Sequence, residues 1–358
     1  MKKRILISTG GSGGHVIPAL AFYDHLKENF EVFLILDKRG SKFINKKKYK
    51  FEIIPIPRLT LNLIKLPLTF IKLTISIFRS IFFLKNKKIN MVLGTGGYMS
   101  VAICIAAKIL NIKIYLFEPN MVIGRANKFL LKFSNKIFCY SDEIINFPKK
   151  NKNKIVFINH VLRNEIYNFD NYNKEKIENK IKLLVVGGSQ GAKVFDEDIK
   201  NSILDLSKKY KLMVYHQASS SDFSSLEFFY KENNIQNKLF NFDENIFQYI
   251  NDANLAITRA GASTLSELAF LKVPFIAIPY KFASDNHQLQ NALHYEYNGC
   301  CWILKEQEFN QHKLTTLLIH IIENRDDYLN KKNNLEKFCY QNTWNKINEK
   351  VISSLNEN

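Results

Sequence analysis

Three times in this chain a short apolar run breaks into a glycine-rich turn and then a helical pattern. Arg4–Ser8 leads into Gly10-Gly11-Ser12-Gly13-Gly14-His15, and Asn90–Leu93 into Gly94-Thr95-Gly96-Gly97-Tyr98. Ile181–Val186 leads into Gly187-Gly188-Ser189-Gln190-Gly191. Unbroken apolar runs of this length are what strands of a parallel sheet, covered on both faces, require. Strand, glycine turn and helix together open a doubly wound α/β unit. The theme restarts at Ile181, after the polar, Asn- and Lys-rich stretch Tyr167–Lys180, so two such units are expected. The 358 residues, 46% hydrophobic, suffice for a core in each.

Further strands are expected at Glu31–Leu36, Phe51–Ile56, Ile112–Phe117, Lys136–Tyr140 and Ile155–Ile158 in the first unit. The second takes Leu212–His216, Leu239–Phe242, Ala253–Ile257 and Phe275–Pro279. A helix should begin near Pro18, and the chain from about Leu314 reads as helical and polar. The expected division is 1–162, 163–340, and a C-terminal helix over 341–358 that packs back on the first domain.

The glycine spacing argues against a nicotinamide or flavin site. Counted from Gly11, the third glycine of the dinucleotide fingerprint is Val16. His15, ending the first turn at the sheet's carboxyl edge, is a candidate acid/base against the plain alternative of a structural histidine. In the second half, the run ending at Ile257 gives way to Thr258-Arg259-Ala260-Gly261-Ala262-Ser263-Thr264-Leu265-Ser266-Glu267. A helix starting at Ser263 or Thr264 offers unpaired amides, hydroxyls and the positive dipole end to a phosphate. Glu267, about one turn on, suits a ribose diol. The plain alternative is a capped helix with a surface glutamate.

The net charge is +18, in a chain rich in Lys and Asn throughout. Much of that lysine reads as surface coat, so charge alone does not argue for nucleic acid. The five cysteines show no zinc or disulfide spacing, which points to a reducing compartment. No cleavable leader is expected after Met1-Lys2-Lys3-Arg4. Leu59–Leu84 is apolar enough to tempt a membrane-spanning reading, but it carries Lys65, Lys72 and Arg79 seven apart. On a helix these stack along one side. Two readings stand: an amphipathic helix lying in the headgroups of an anionic bilayer, or a core helix with a solvated basic edge.

Taken together the blocks resemble the MurG family of GT-B glycosyltransferases. The blocks are the three glycine turns, Glu118-Pro119-Asn120, Arg163, Arg259 through Glu267, and Asp285 through Gln288 with Asn291-Ala292, in family order. The chain departs from the family at Ser12, Pro119, Asn159–Leu162 and His287. The resemblance implies two Rossmann-like domains facing a cleft. It also implies an inverting transfer of N-acetylglucosamine from UDP-N-acetylglucosamine to the 4-hydroxyl of undecaprenyl-diphospho-N-acetylmuramoyl-pentapeptide. Ser12, Gly13, Gly14 and Asn120 would lie near the donor sugar. Arg163 and Ser189 would approach the diphosphate or nucleotide, and Asp243 the uracil. Ala262, Ser263, Thr264, Leu265, Ser266 and Glu267 would hold diphosphate and ribose, and Gln288 the sugar hydroxyls. His15 is the proposed base, with Glu118 second. No metal is required, though a divalent cation can assist. The expected partners are the two substrates and an anionic membrane surface, not nucleic acid, at the cytoplasmic face of the inner membrane. A diacylglycerol glycosyltransferase or a UDP-N-acetylglucosamine 2-epimerase is the alternative within the fold. A basic binding protein without activity is the alternative outside it.

Overall fold

The computed structural model describes residues 2–56, 66–169, 180–188, 198–243 and 245–357. The chain divides into two compact units. Unit 1 is Met1–Tyr167 with Asn342–Asn358, and unit 2 is Asn168–Gln341.

Unit 1 runs β1 (Arg4–Ser8), α1 (Gly13–Leu26), β2 (Glu31–Leu36), β3 (Glu52–Ile53), α2 (Leu66–Asn86), β4 (Met91–Gly94), α3 (Gly97–Ile109) and β5 (Lys113–Glu118). It continues with α4 (Arg125–Leu130), β6 (Lys136–Cys139), β7 (Ile155–Phe157) and α5 (Asn164–Tyr167). The sheet is parallel, in the order β3-β2-β1-β4-β5-β6-β7. Side chains alternate between its faces, as strand geometry demands. Ile5, Ile7, Leu34, Leu36, Met91 and Leu93 join one core cluster. Leu6, Ile35 and Val92 join the other. The first face is covered by α1 and by the last helix of the chain. The second is covered by α2, α3 and α4.

Unit 2 runs β8 (Ile181–Val186), α6 (Lys200–Ser207), β9 (Leu212–Gln217), α7 (Phe223–Glu232), β10 (Gln236–Phe240), α8 (Ile246–Asp252) and β11 (Leu255–Thr258). Then come α9 (Ala262–Phe270), β12 (Phe275–Ala277), α10 (His287–Tyr297), β13 (Cys301–Ile303), α11 (Gln311–Glu323) and α12 (Arg325–Cys339). Its sheet is again parallel, ordered β10-β9-β8-β11-β12-β13. The final helix α13 (Trp344–Asn356) belongs to unit 1. Its Ile347, Val351 and Leu355, four apart, complete the core beside α1. Trp344 stacks on His25 at 3.7 Å. His25 Nδ1 accepts from the Asn348 amide nitrogen (2.6 Å), and its Nε2 donates to the Leu162 carbonyl (3.2 Å). Burial drives the His25 pKa down to about 4, so the ring is neutral at physiological pH.

Four local expectations change. Helix α1 begins at Gly13, five residues before Pro18, because the open turn lets the chain coil directly out of Ser12. Only Glu52–Ile53 of the expected third strand pairs, since only these two residues meet β2. The strand expected at Leu239–Phe242 is Gln236–Phe240, set by its parallel pairing to Met213–Gln217. A thirteenth strand, Cys301–Ile303, was not expected.

Candidate active site

In each sheet the strand order reverses beside the first strand: between β1 and β4 in unit 1, and between β8 and β11 in unit 2. Open α/β sheets bind ligands at the carboxyl ends of strands at such a reversal. The glycine turns leave those strand ends.

In unit 1 the two turns are fastened together. The Thr95 amide donates to the Ser8 carbonyl (3.1 Å), and the Thr9 hydroxyl donates to the His15 carbonyl (2.8 Å). His15 Nδ1 lies 2.9 Å from the Thr95 carbonyl. A carbonyl only accepts, so Nδ1 carries the proton and the lone pair of the neutral ring sits on Nε2. That is the tautomer a general base needs. Gly96, with φ +87°, packs against this arrangement. A Cβ there would meet Asn127 Nδ2 at 3.3 Å and His15 Cε1 at 3.5 Å. Ser12 caps α1 with backbone only, its hydroxyl making no capping bond. Gly13 is buried and Gly14 exposed.

Glu118, ending β5, is 2% exposed. Its Oε1 accepts from the Asn120 amide (3.2 Å) and side chain (2.9 Å). Its Oε2 accepts from the Gly124 amide (2.7 Å) and Asn127 Nδ2 (3.0 Å). These bonds make Glu118 an organiser of the β5–α4 turn and of Asn120. Arg163 lies in unit 1, buried, just before α5.

Sequence reasoning missed a cluster beside the first turn. Asp37, following β2, accepts at Oδ1 from the amides of Gly11 (2.9 Å) and Gly40 (2.7 Å). Its Oδ2 accepts from the Tyr98 hydroxyl, which in turn accepts from Arg39 Nη2 (2.8 Å). Burial pushes the Asp37 carboxyl up, but Tyr98, the two amides and Arg39 together hold it below its ordinary value. A Cβ at Gly10 would sit 2.6 Å from Asp37 Oδ1, so the turn and the carboxylate are built to each other. The available signal was Asp37-Lys38-Arg39-Gly40 directly after a buried strand.

In unit 2, the Arg259 amide donates to the Val186 carbonyl (3.1 Å), which sets β11 beside β8 as α9 departs. Gly261 caps α9 without a side-chain bond, and among the described residues no atom lies within 4 Å of where its Cβ would be. The amides of Ala262, Ser263 and Thr264 precede the first intrahelical bond, which runs from the Leu265 amide to the Gly261 carbonyl (3.0 Å). The Ser263 hydroxyl oxygen is shielded from solvent and has no hydrogen-bond partner among the described residues. A polar atom held that way wants a ligand. Ser266 donates to the Ala262 carbonyl (2.7 Å), and Leu265 lies in the core. Glu267 is 5% exposed, so it is not a surface glutamate.

Gln288, second residue of α10, is half-buried; its Oε1 accepts from the Tyr280 amide (3.0 Å), leaving its nitrogen to donate. Asp243 lies just before α8, its Oδ1 accepting from the Asn245 amide (2.7 Å) and Oδ2 from Tyr249 (3.2 Å). Ser189 and Lys65 lie outside the described residues. Within unit 1 the structure thus gathers His15, Ser12, Gly13 and Gly14 at one strand reversal. Within unit 2 it gathers Ala262, Ser263, Thr264 and Glu267 on α9.

Two doubly wound parallel-sheet units, each with its polar apparatus at the carboxyl edge, are the GT-B glycosyltransferase architecture. Residues 5–139 match the glycosyltransferase family 28 N-terminal domain, and residues 182–345 its C-terminal domain. The chain belongs to glycosyltransferase family 28.

It is 50% identical over 358 residues, the full length of both chains, to a Pelagibacter ubique (strain HTCC1062) protein. That protein's name is UDP-N-acetylglucosamine--N-acetylmuramyl-(pentapeptide) pyrophosphoryl-undecaprenol N-acetylglucosamine transferase. A Rickettsia canadensis (strain McKiel) protein of the same name is 35% identical, with 90% of this chain and 91% of that one covered. Among solved structures, Acinetobacter baumannii MurG superposes with a TM-score of 0.74 over 98% of each chain at 23% identity. The S. aureus MnaA–UDP complex superposes at 0.66, over 93% of this chain and 91% of that one, at 14% identity. These two likenesses speak to fold.

Proposed function

We propose that this protein transfers N-acetylglucosamine from UDP-N-acetylglucosamine to the 4-hydroxyl of undecaprenyl-diphospho-N-acetylmuramoyl-pentapeptide, a step of peptidoglycan synthesis. The end-to-end 50% identity to a transferase of that name carries the reading. The open α9 start, with the shielded Ser263 hydroxyl and buried Glu267, supplies its chemistry. The α9 amides and dipole neutralise the diphosphate as it departs. Glu267 takes the ribose hydroxyls, and Gln288 reads the sugar. His15 Nε2 takes the proton of the attacking 4-hydroxyl while the Thr95 carbonyl steadies the imidazolium. Glu118, whose Oε1 accepts from the Asn120 amide and side chain, is the second candidate for the base. Labelled donor incubated with the lipid-linked muramyl acceptor should give the disaccharide lipid and UDP. Sugar epimerised without acceptor, or transfer to diacylglycerol alone, would overturn the assignment.

The acceptor's lipid calls for a membrane surface, and α2 offers one. Leu68, Ile71, Ile75, Phe78 and Phe82 recur at three- and four-residue spacing and are exposed. Lys72, Arg79 and Lys85 are exposed on the same helix. By length and composition Pro67–Asn86 could cross a membrane, yet Phe83 and Leu84 are built into unit 1's core and Ser76 and Ser80 are buried. The proposed mode is therefore peripheral, at the cytoplasmic face of the inner membrane. Phe78→Asp with Phe82→Asp should abolish co-flotation with vesicles containing anionic lipid while leaving donor binding intact. Unchanged flotation would refute the role of α2.

A further inference from the structure

Arg259 stands two residues before Gly261, where a guanidinium invites assignment to phosphate. Its contacts point elsewhere. Nη1 donates to the Ile278 carbonyl (3.2 Å) and Nη2 to Glu306 Oε1 (2.7 Å). Both side chains are 7% exposed, and the guanidinium lies 5.3 Å from the Tyr280 ring centre. The other Glu306 oxygen accepts from the Lys281 amide (2.9 Å). Burial pushes the Glu306 carboxyl up, but Arg259 and the Lys281 amide bring it below its ordinary value, so it stays ionised at neutral pH. The pair thus ties three segments: the end of β11 from which α9 departs, the residues after β12, and the loop after β13. The middle segment runs on to Gln288, which receives the Tyr280 amide. Asn291 Nδ2 on α10 closes the circuit by donating to the Ala260 carbonyl (3.1 Å).

We infer that Arg259 and Glu306 are positioning residues that hold the 280–288 loop, and with it Gln288, at a fixed offset from the α9 start. The ion pair then sets how the sugar of a nucleotide-sugar is read once α9 has gripped the diphosphate. The inference deepens the donor reading of unit 2 and rests on it. Arg259 itself does not bind phosphate; through Glu306 it places the group that distinguishes one hexose from another.

The test measures, by titration calorimetry on the full chain, the ratio of the Kd for UDP-N-acetylglucosamine to that for UDP. Glu306→Gln keeps the side chain's length and removes its charge. Glu306→Asp keeps the charge but cannot reach both Arg259 and the Lys281 amide. Each should raise the ratio roughly three- to tenfold, the scale of a neutral hydrogen bond between Gln288 and the sugar. UDP affinity should stay within about twofold. Gln288→Ala should match this effect, and E306Q combined with Q288A should add nothing to Q288A alone. If E306Q does not fold, E306D carries the test. Equal weakening of both ligands, additivity in the double variant, or wild-type discrimination in E306D overturns the inference alone. A wild-type chain that binds neither ligand overturns the donor reading as well.

Discussion

His15→Gln is expected to lower kcat by about two to four orders of magnitude, the usual contribution of a positioned general base. The KM for the donor should hardly move, because α9 in the other unit grips the diphosphate. The argument is one of tautomer. The Thr95 carbonyl at 2.9 Å fixes the proton on Nδ1, and glutamine, whose amide falls near the Nε2 position, offers no basic nitrogen there. The loss should therefore be one of turnover with the fold intact. Steady-state kinetics, with circular dichroism as the folding control, checks both. Near-normal turnover would remove His15 from the role.

Arg259→Ala is expected to be strongly destabilising for unit 2. It leaves the Glu306 carboxylate, 7% exposed, without its cation. Breaking a buried pair from one side costs about 3–5 kcal/mol. In a domain of this size that lowers Tm by roughly 10 °C or more. Replacing both partners together, Arg259→Met with Glu306→Leu, should recover much of the loss, since no charge is then stranded. The double variant should still discriminate sugars poorly, because the Lys281 amide has lost its acceptor. Scanning calorimetry reads the stability. A small effect from Arg259→Ala alone would mean that the pair contributes little.

Much of the fold was legible because buried parallel strands are written as unbroken apolar runs. Arg4–Ser8, Glu31–Leu36 and Ile181–Val186 were read with the ends they have. Strand β13 was not, since three residues beside Gly299-Cys300 carry no period. A helix after Gly261 was legible from its small residues and apolar side, but it starts at Ala262, ahead of the expected Ser263 or Thr264, on a Gly261 cap without a side-chain bond. Asp37 and Glu306 were not. Asp37 acts on Gly11 and Tyr98, and Glu306 on a residue 47 positions away, and such partnerships exist only after folding. Glu118, the second candidate for the base, accepts hydrogen bonds from Asn120, Gly124 and Asn127, partners that a strand end alone does not announce.

The most direct test of the account is a crystal structure of the protein with UDP-N-acetylglucosamine. The account predicts the diphosphate within hydrogen-bonding distance of the Ser263 hydroxyl and of the Ala262–Thr264 amides, with the ribose on Glu267. A diphosphate bound at the Gly10–Gly14 turn of unit 1, with the α9 start empty, would contradict it.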